Sequence, residues 1–258
     1  MPRRNTQHDN QGAFGALFAL PVCALFLLLC SFVAHADDAQ DIVAKADEIR
    51  FPRDDFQVEV SVESTSADGD QEDHKYRILS KGNDNTIVQV MEPAADRGQI
   101  TLMKGRDLWL FLPNVSQPVR LSLAQRLTGQ VAYGDLARAN FTGDYTAALL
   151  RSEDIDGVKH HVLELSAVDR GVAYSRVLYW VRADNYSPRK AEFYALSGKL
   201  LKTCVYEEFK KMAGRVRPTR LVMENALKAG ERSVLSYSEM RLRELPEKLF
   251  SKDYLKKL

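Results

Sequence analysis

Cysteine and histidine are scarce in this chain of 258 residues. Only Cys204 of the three cysteines, and only His74, His160 and His161 of the five histidines, lie beyond residue 36. A single cysteine cannot form an internal disulfide, so the stability of this part of the chain depends on its core. His160 and His161 are neighbours on a predicted strand and face opposite sides of it, which makes it difficult for both to ligate one metal ion. We therefore expect no metal site and no cofactor.

Motifs of known catalytic chemistry are also missing from the sequence. It contains neither a Gly-x-Ser-x-Gly elbow nor a Gly-x-x-x-x-Gly-Lys-Ser/Thr phosphate loop. Cys204 lies in an apolar predicted strand, which favours a buried small side chain over a nucleophile. Acidic pairs such as Asp54-Asp55 and Glu207-Glu208 alternate between faces or lie at turns, as solvated carboxylates do. An enzyme would need a polar cluster inside a cavity, and none is predicted, so we expect no catalytic residues and no enzymatic activity.

Residues 1–36 have the features of a secretory signal peptide. Arg3 and Arg4 precede an apolar run from Ala16 to Val33, and the small-x-small site Ala34-His35-Ala36 follows it. We expect export and cleavage after Ala36; an uncleaved anchor helix is the alternative. This segment contains two of the 36 Lys and Arg residues and one of the 35 Asp and Glu residues, so the mature chain has no formal net charge. Such a balance argues against nucleic-acid binding, which needs a basic excess.

Short strands dominate the rest of the sequence. Phe56 to Glu63 alternates apolar and polar residues, which predicts a strand whose buried face includes Val58 and Val60. About ten or eleven such strands follow one another through hairpin-length turns. Helical spacing appears only over residues 38–50, within an irregular insertion over 122–143, and over 246–258. No repeat or linker interrupts the pattern, so residues 37–258 are predicted to form one mainly β domain, either a barrel or a strongly curved sheet.

Several predicted strands are apolar on both faces. In the strand over 107–112, Trp109 and Phe111 share one face and three leucines share the other, and Tyr179 and Trp180 lie on opposite faces of a later strand. A sheet with one solvated face does not do this repeatedly. Both faces could pack against protein, the strands could lie in a sandwich, or the inner face could line an apolar pocket while the outer face is partly exposed. We favour the third explanation, because a sheet of this size encloses more volume than its own side chains fill.

The run from Met91 to Ser122 resembles the outer-membrane lipoprotein-sorting proteins of the LolA/LolB-like superfamily. More narrowly, it is similar to a branch that is often encoded beside large RND- or MMPL-type membrane transporters. The stretches 129–145 and 235–255 fit the same branch, so the resemblance spans the mature chain. The residues that carry it are Pro93, Arg97, Gly98, Leu102, Trp109 and Pro113.

This resemblance implies an unclosed β-barrel of about eleven antiparallel strands whose opening is covered by a few helices as a lid. It also implies a periplasmic carrier or chaperone, which binds the acyl chains of a lipoprotein or another lipid in an apolar cavity and moves its load towards the outer membrane. In carriers of this family an arginine helps to hold the lid closed. Arg97 is the nearest candidate within the shared motif; the alternative is that it supports a turn.

The candidate ligand contacts are large apolar side chains. Because neighbouring residues alternate between faces, only one residue of each adjacent pair reaches the cavity, and over residues 107–112 we choose the aromatic face. The predicted cavity residues are Trp109, Phe111, Tyr179, Trp180, Val58 and Val60.

The resemblance also implies a set of partners. These are lipid or lipoprotein acyl chains, an inner-membrane RND/MMPL-type transporter and an outer-membrane acceptor, and we expect the protein itself to be a monomer. The alternative function is a periplasmic adaptor of such a transporter that carries no free ligand. In that case the interior would be filled by the protein's own side chains, and an exposed patch would be the active feature.

Overall fold

Fifteen strands account for most of the fold. The computed structural model describes Met1 and residues 39–138 and 140–255, so the predicted cleavage site and nearly all of the predicted signal peptide lie outside the described residues. The strands are β1 (Phe56–Thr65), β2 (Gln71–Lys81), β3 (Asn85–Glu92), β4 (Ile100–Lys104), β5 (Asp107–Phe111), β6 (Val119–Leu121), β7 (Arg126–Thr128), β8 (Val131–Ala132), β9 (Tyr145–Ile155), β10 (Val158–Ala167), β11 (Arg176–Arg182), β12 (Pro188–Tyr194), β13 (Leu200–Met212), β14 (Arg215–Asn225) and β15 (Arg232–Leu242).

The helices are short. Residues 39–50 form helix α1, and α2 (Tyr133–Ala137) and α3 (Lys252–Leu255) follow. Two 3-10 turns cover Ala94–Asp96 and Glu247–Phe250. Within the described residues, no helix combines the length and the apolar character needed to cross a membrane.

Thirteen strands form one antiparallel sheet in the order β6-β5-β4-β3-β2-β1-β15-β14-β13-β12-β11-β10-β9, and β7 pairs with β8 in a separate hairpin. Strand β1 pairs with both β2 and β15, which joins the two halves of the meander at its centre. Strands β6 and β9 are the two edges and do not pair with each other. The predicted mainly β, unclosed architecture is therefore confirmed. The strand count exceeds the prediction in part because of three short strands, β6, β7 and β8, of which β7 and β8 lie within the stretch 122–143 that was predicted to be irregular.

The sheet curls around one apolar core. Alternation places Val58, Val60 and Val62 of β1 on the same face, where helix α1 packs. Leu108 of β5 and Leu163 of β10 belong to this same contiguous cluster although their strands lie near opposite ends of the sheet. A flat sheet could not bring them together, so this is the inner face of a half-barrel.

A second apolar cluster lies on the outer face of β2 to β5. There the C-terminal segment, residues 245–255, covers the sheet, and Phe250 is completely buried against it. The two apolar faces of β5 are thereby explained: Leu108 points inward, whereas Trp109 and Phe111 point outward under this segment. The favoured explanation, an inner pocket with a partly wet outer face, is wrong for these strands, because both faces pack against protein.

Candidate functional site

The lid segment, residues 122–144, crosses the open side of the half-barrel. It connects β6 directly to β9, which are the two unpaired edges of the main sheet. It contains the β7–β8 hairpin and the single helical turn α2, and within the described residues neither pairs with a strand of the main sheet. Its apolar side chains enter the core from the open side, namely Leu123, Val131, Tyr133, Leu136, Ala137 and Phe141.

Side chains of helix α1 and of the lid segment pack into the inner core. One cavity of about 30 Å³ lies between them, bordered by Arg50 of α1, Asn140 and Phe141 of the lid segment, and Tyr206 of β13. A cavity of this size holds about one or two water molecules. The observed state is therefore closed, and a larger molecule would enter only if the lid segment moved.

Asp47 and Arg50 fasten the lid segment to helix α1. One carboxylate oxygen of Asp47, Oδ2, accepts hydrogen bonds from the backbone N–H of Phe141 at 2.9 Å and from both the N–H and the hydroxyl of Thr142 at 2.7 Å. The other oxygen pairs with Nη1 of Arg50 at 3.3 Å. Burial raises the pKa of Asp47 above its ordinary value, and Arg50 and these donors oppose that rise.

Arg50 is a buried cation surrounded by aromatic rings. Its side chain is 8% exposed, and its guanidinium carbon lies 4.6 Å from the ring centroid of Phe141 and 5.6 Å from that of Tyr206. Among the described residues, Nε of Arg50 and the hydroxyl of Tyr179 have no hydrogen-bond partner. The site thus combines an apolar wall with buried polar groups that are not fully satisfied.

A second fastening lies where the lid segment meets β9. Asp144 is buried and accepts from Nη2 of Arg138 and from Nε of Arg106, each at 2.9 Å. Arg106 also donates from Nη2 to the carbonyl of Gly143 at 2.9 Å. Arg106 lies in the β4–β5 turn, so these contacts link that turn to the start of the edge strand β9.

A third fastening holds α2 against the inner face. Asp135 accepts a hydrogen bond from the hydroxyl of Tyr174 at 3.0 Å and pairs with the ammonium group of Lys202. Lys202 also donates to the carbonyl of Gln130 at 2.8 Å. Burial raises the pKa of Tyr174 well above its usual range, and the nearby Asp135 carboxylate adds to that rise.

The tip of the β7–β8 hairpin packs tightly against the rim of the half-barrel. Gly129 has a φ of +47°, and a Cβ atom there would lie 2.6 Å from Cβ of Ser64. The next residue, Gln130, donates its N–H to Oγ of Ser233 at 2.9 Å. Ser64 and Ser233 themselves share a hydrogen bond of 2.8 Å. This close approach requires glycine.

The predicted cavity residues divide between the two faces of the sheet. Val58, Val60 and Tyr179 lie in the inner core, and their contact with a ligand stays a prediction. Trp109 and Phe111 lie on the outer face, so their predicted place in the cavity is wrong.

Trp180 also lies away from the inner core. Its indole N–H donates to Glu153 at 2.8 Å, and the ammonium group of Lys190 lies 4.8 Å from its ring centroid. Arg97 is not a lid latch: it is exposed and donates to the carbonyl of Met91 at 3.1 Å, so it supports a turn.

The sequence analysis did not identify the three fastenings, although the sequence of helix α1 indicates one of them. Val43, Asp47 and Arg50 follow one another at helical spacing, so the two charged residues lie on the apolar stripe of the predicted helix. Charged residues at core positions indicate buried partners. The identity of those partners in the lid segment depends on tertiary structure and has no local signal.

Comparisons with known proteins show a strong likeness to a solved structure. The structure of a LolA superfamily protein from Nitrosomonas europaea is 60% identical in sequence, with 84% of this chain and 98% of that chain covered and a TM-score of 0.81. A family model described as that of an uncharacterized protein matches residues 82–257. A search of curated proteins gave no match.

Two further structures share the fold at lower identity. One is a DUF1329 family protein from Desulfovibrio piger, which is 22% identical over 86% of this chain and 99% of that chain, with a TM-score of 0.74. The other is a domain from Vibrio parahaemolyticus named for outer-membrane lipoprotein sorting, which is 23% identical over 86% of this chain and 99% of that chain, with a TM-score of 0.71.

Proposed function

The chain belongs to the LolA superfamily, and from that premise we propose that it is a periplasmic carrier of lipid. It binds the acyl chains of a lipoprotein or of another lipid inside the half-barrel and moves them towards the outer membrane. An inner-membrane RND/MMPL-type transporter as donor and an outer-membrane acceptor complete this proposal, with the carrier acting as a monomer. The mechanism needs binding and release and no covalent step.

One observation carries the proposal: the lid segment buries apolar side chains against the inner face without pairing with the main sheet. Opening would therefore break side-chain contacts and the hydrogen bonds of the three fastenings, while the ladder of the main sheet stays intact. Acyl chains would replace Phe141, Leu136 and their neighbours against Val58, Val60 and Tyr179. Each buried CH₂ group contributes about 0.8 kcal/mol, and this gain over two long chains would offset the lost lid contacts.

The domain from Vibrio parahaemolyticus is named for outer-membrane lipoprotein sorting, which points in the same direction. At 23% identity that likeness concerns the fold, so it supports a cavity of the same kind and leaves the ligand to experiment. Release would require a receiver that buries at least as much apolar surface, which is the role proposed for the acceptor.

The direct test is mass spectrometry of an organic extract of the chain over residues 37–258, purified from a periplasm. A stoichiometric lipid or acylated peptide would support the carrier and identify its class. Phe141→Ala removes a side chain that a ligand must displace, so this variant should retain more lipid. Phe209→Ala, at a residue that is 37% exposed on β13, is the matched control and should retain the wild-type amount.

A second candidate function is supported by the filled interior. An adaptor that carries no free ligand would fill its interior with its own side chains, and side chains of helix α1 and of the lid segment pack in this way around a cavity of about 30 Å³. An extract that stays free of lipid after incubation with added lipid, from a protein that is folded, would overturn the carrier proposal. Co-purification with a transporter under those conditions would support the adaptor.

A further inference from the structure

We propose that Arg50 recognises the head group of the ligand, and that the ligand is an amphiphile with a phosphate or carboxylate head. This inference rests on the proposed carrier function and names the class of lipid. It concerns the inner end of the site, where the residual cavity borders the guanidinium group.

The first reason is the incomplete hydrogen bonding of Arg50. A guanidinium group has five N–H donors. In the described residues Arg50 makes one hydrogen bond, from Nη1 to Asp47 at 3.3 Å, and its Nε has no partner. The Tyr179 hydroxyl, also buried and without a partner among these residues, adds a further donor on the inner face. Unused donors beside the aromatic wall of a cavity suit an anionic acceptor, which can form two parallel hydrogen bonds with a guanidinium group.

The second reason is the position of these groups behind the lid segment. The ring of Phe141 covers the guanidinium group at 4.6 Å, and the same lid segment supplies three donors to Asp47. If the lid segment withdraws to admit acyl chains, Arg50 loses this cover at the moment the ligand enters. A head group that accepts hydrogen bonds would then cover Arg50 in place of the Phe141 ring, and Asp47, which loses its three lid donors, would keep Arg50 as its partner. A purely apolar ligand would leave the charge of Arg50 poorly satisfied.

Asp47, next to Arg50, carries a charge that opposes this assignment. Asp135 and Asp144 also border the cavity, together with the cation Arg138. Carboxylates would repel an anion and attract a cationic head, whereas Arg50 would attract an anion, so the charge of the preferred head group decides between the two possibilities.

Arg217 is also buried, but its guanidinium group already has three acceptors, the carbonyls of Glu48, Ile49 and Met212. Arg50 has no such set within the described residues, and this difference favours it as the group left for a ligand.

The test compares amphiphiles of one chain length and different heads. Palmitate, hexadecyl phosphate, hexadecanol and hexadecyltrimethylammonium would compete below their micelle concentrations with an apolar fluorescent probe bound to the wild-type chain. We expect the two anions to bind at least ten-fold more tightly than hexadecanol, which corresponds to about 1.4 kcal/mol. Inorganic phosphate and acetate should not displace the probe; displacement by them alone would indicate a site for small anions and overturn the lipid assignment.

Variants assign the preference to a residue. In Arg50→Gln the ratio between palmitate and hexadecanol should fall to near one, and Arg50→Lys should restore part of it. Arg53→Gln, which changes an exposed arginine just beyond α1, should keep the wild-type ratio. Because the wild-type series needs no variant, the inference remains testable even if Arg50→Gln does not fold.

The possible results distinguish failure of the role of Arg50 from failure of the carrier proposal. Equal binding of palmitate and hexadecanol, or stronger binding of the cationic amphiphile, would overturn the role of Arg50 and leave the carrier proposal standing. A preference that persists in folded Arg50→Gln would also overturn it. If no amphiphile binds at all, the carrier proposal itself fails.

Discussion

Asp47 on helix α1 accepts two hydrogen bonds of 2.7 Å from Thr142, a residue of the lid segment that is 95 positions away in the sequence. This carboxylate links helix α1, which packs inside the half-barrel, to the lid segment, which covers its open side. The interior therefore opens only when a buried, charge-assisted contact is broken.

Replacing Asp47 should weaken the whole closed state. In Asp47→Asn the amide cannot accept from all three lid donors, and Arg50 loses its partner, so the free energy of unfolding should fall by about 3 kcal/mol. Urea denaturation would measure this change. Asp41→Asn, on the same helix, removes an exposed carboxylate paired with Lys45 and should cost less than about 0.5 kcal/mol. Equal losses of unfolding free energy in the two variants would contradict the role of Asp47 in fastening the lid segment.

Cys204 should report opening of the lid segment. It is completely buried on the inner face, and burial raises the pKa of its thiol to about 12. The thiolate is the reactive form, so at pH 8 the native chain over residues 37–258 should react with a disulfide reagent far more slowly than the unfolded chain. Phe141→Ala should increase the native rate, and Phe209→Ala should not. Rapid labelling of the native wild-type chain would show that the closed state is poorly populated.

Much of the fold can be predicted from local sequence patterns, whereas the segments that pack against each face of the sheet cannot. The alternation around Val58 and Val60 predicts a one-sided strand, and β1 has this form. The strand with Trp109 and Phe111 reads as apolar on both faces, which is correct. What covers its outer face, the C-terminal segment around Phe250, comes from a distant part of the chain, and no local spacing identifies it. Choosing the face with the larger side chains as the inner one was therefore wrong.

The site shows the same limit. Asp47 and Arg50 stand out in the sequence as charged residues on an apolar helical stripe, but their significance depends on Phe141 and Thr142. The lid segment itself is rich in glycine and short elements, so its sequence predicts irregular structure without showing which side chains enter the core. The resemblance alone made Arg97 a candidate for holding the lid or for supporting a turn, and it supports the turn between β3 and β4.

Trp109 offers a test of the two faces. Because it packs outward, where the ammonium group of Lys252 lies 3.6 Å from its ring centroid, Trp109→Ala should lower the free energy of unfolding by about 2 kcal/mol. It should leave the affinity for an apolar fluorescent probe unchanged. Phe141→Ala, by contrast, should increase that affinity, because Phe141 occupies the inner face. Loss of probe binding in folded Trp109→Ala would contradict the assignment of the faces.

Gly129 should be the most sensitive glycine of the lid segment. In Gly129→Ala two costs add: the left-handed backbone at φ +47° is strained by about 1 kcal/mol for a residue with a side chain, and the new Cβ meets Ser64 Cβ at 2.6 Å. Rotation of the serine hydroxyls cannot relieve a contact between two Cβ atoms, so the hairpin tip must move off the rim. That movement weakens the hydrogen bond from Gln130 to Ser233 and should increase Cys204 labelling by several-fold.

Gly82→Ala supplies the matched control for Gly129→Ala. Gly82 has a comparable φ of +59°, and a Cβ atom there would meet nothing within 4 Å, so only the backbone strain remains. This variant should lose stability by about 1 kcal/mol and keep the wild-type labelling rate of Cys204. If both variants labelled at the same rate, backbone strain alone would account for the effect, and the hairpin tip would not hold the lid segment closed. A faster rate in Gly129→Ala alone would show that its contact with the rim is part of the closure, because the two substitutions differ mainly in what the new methyl group touches.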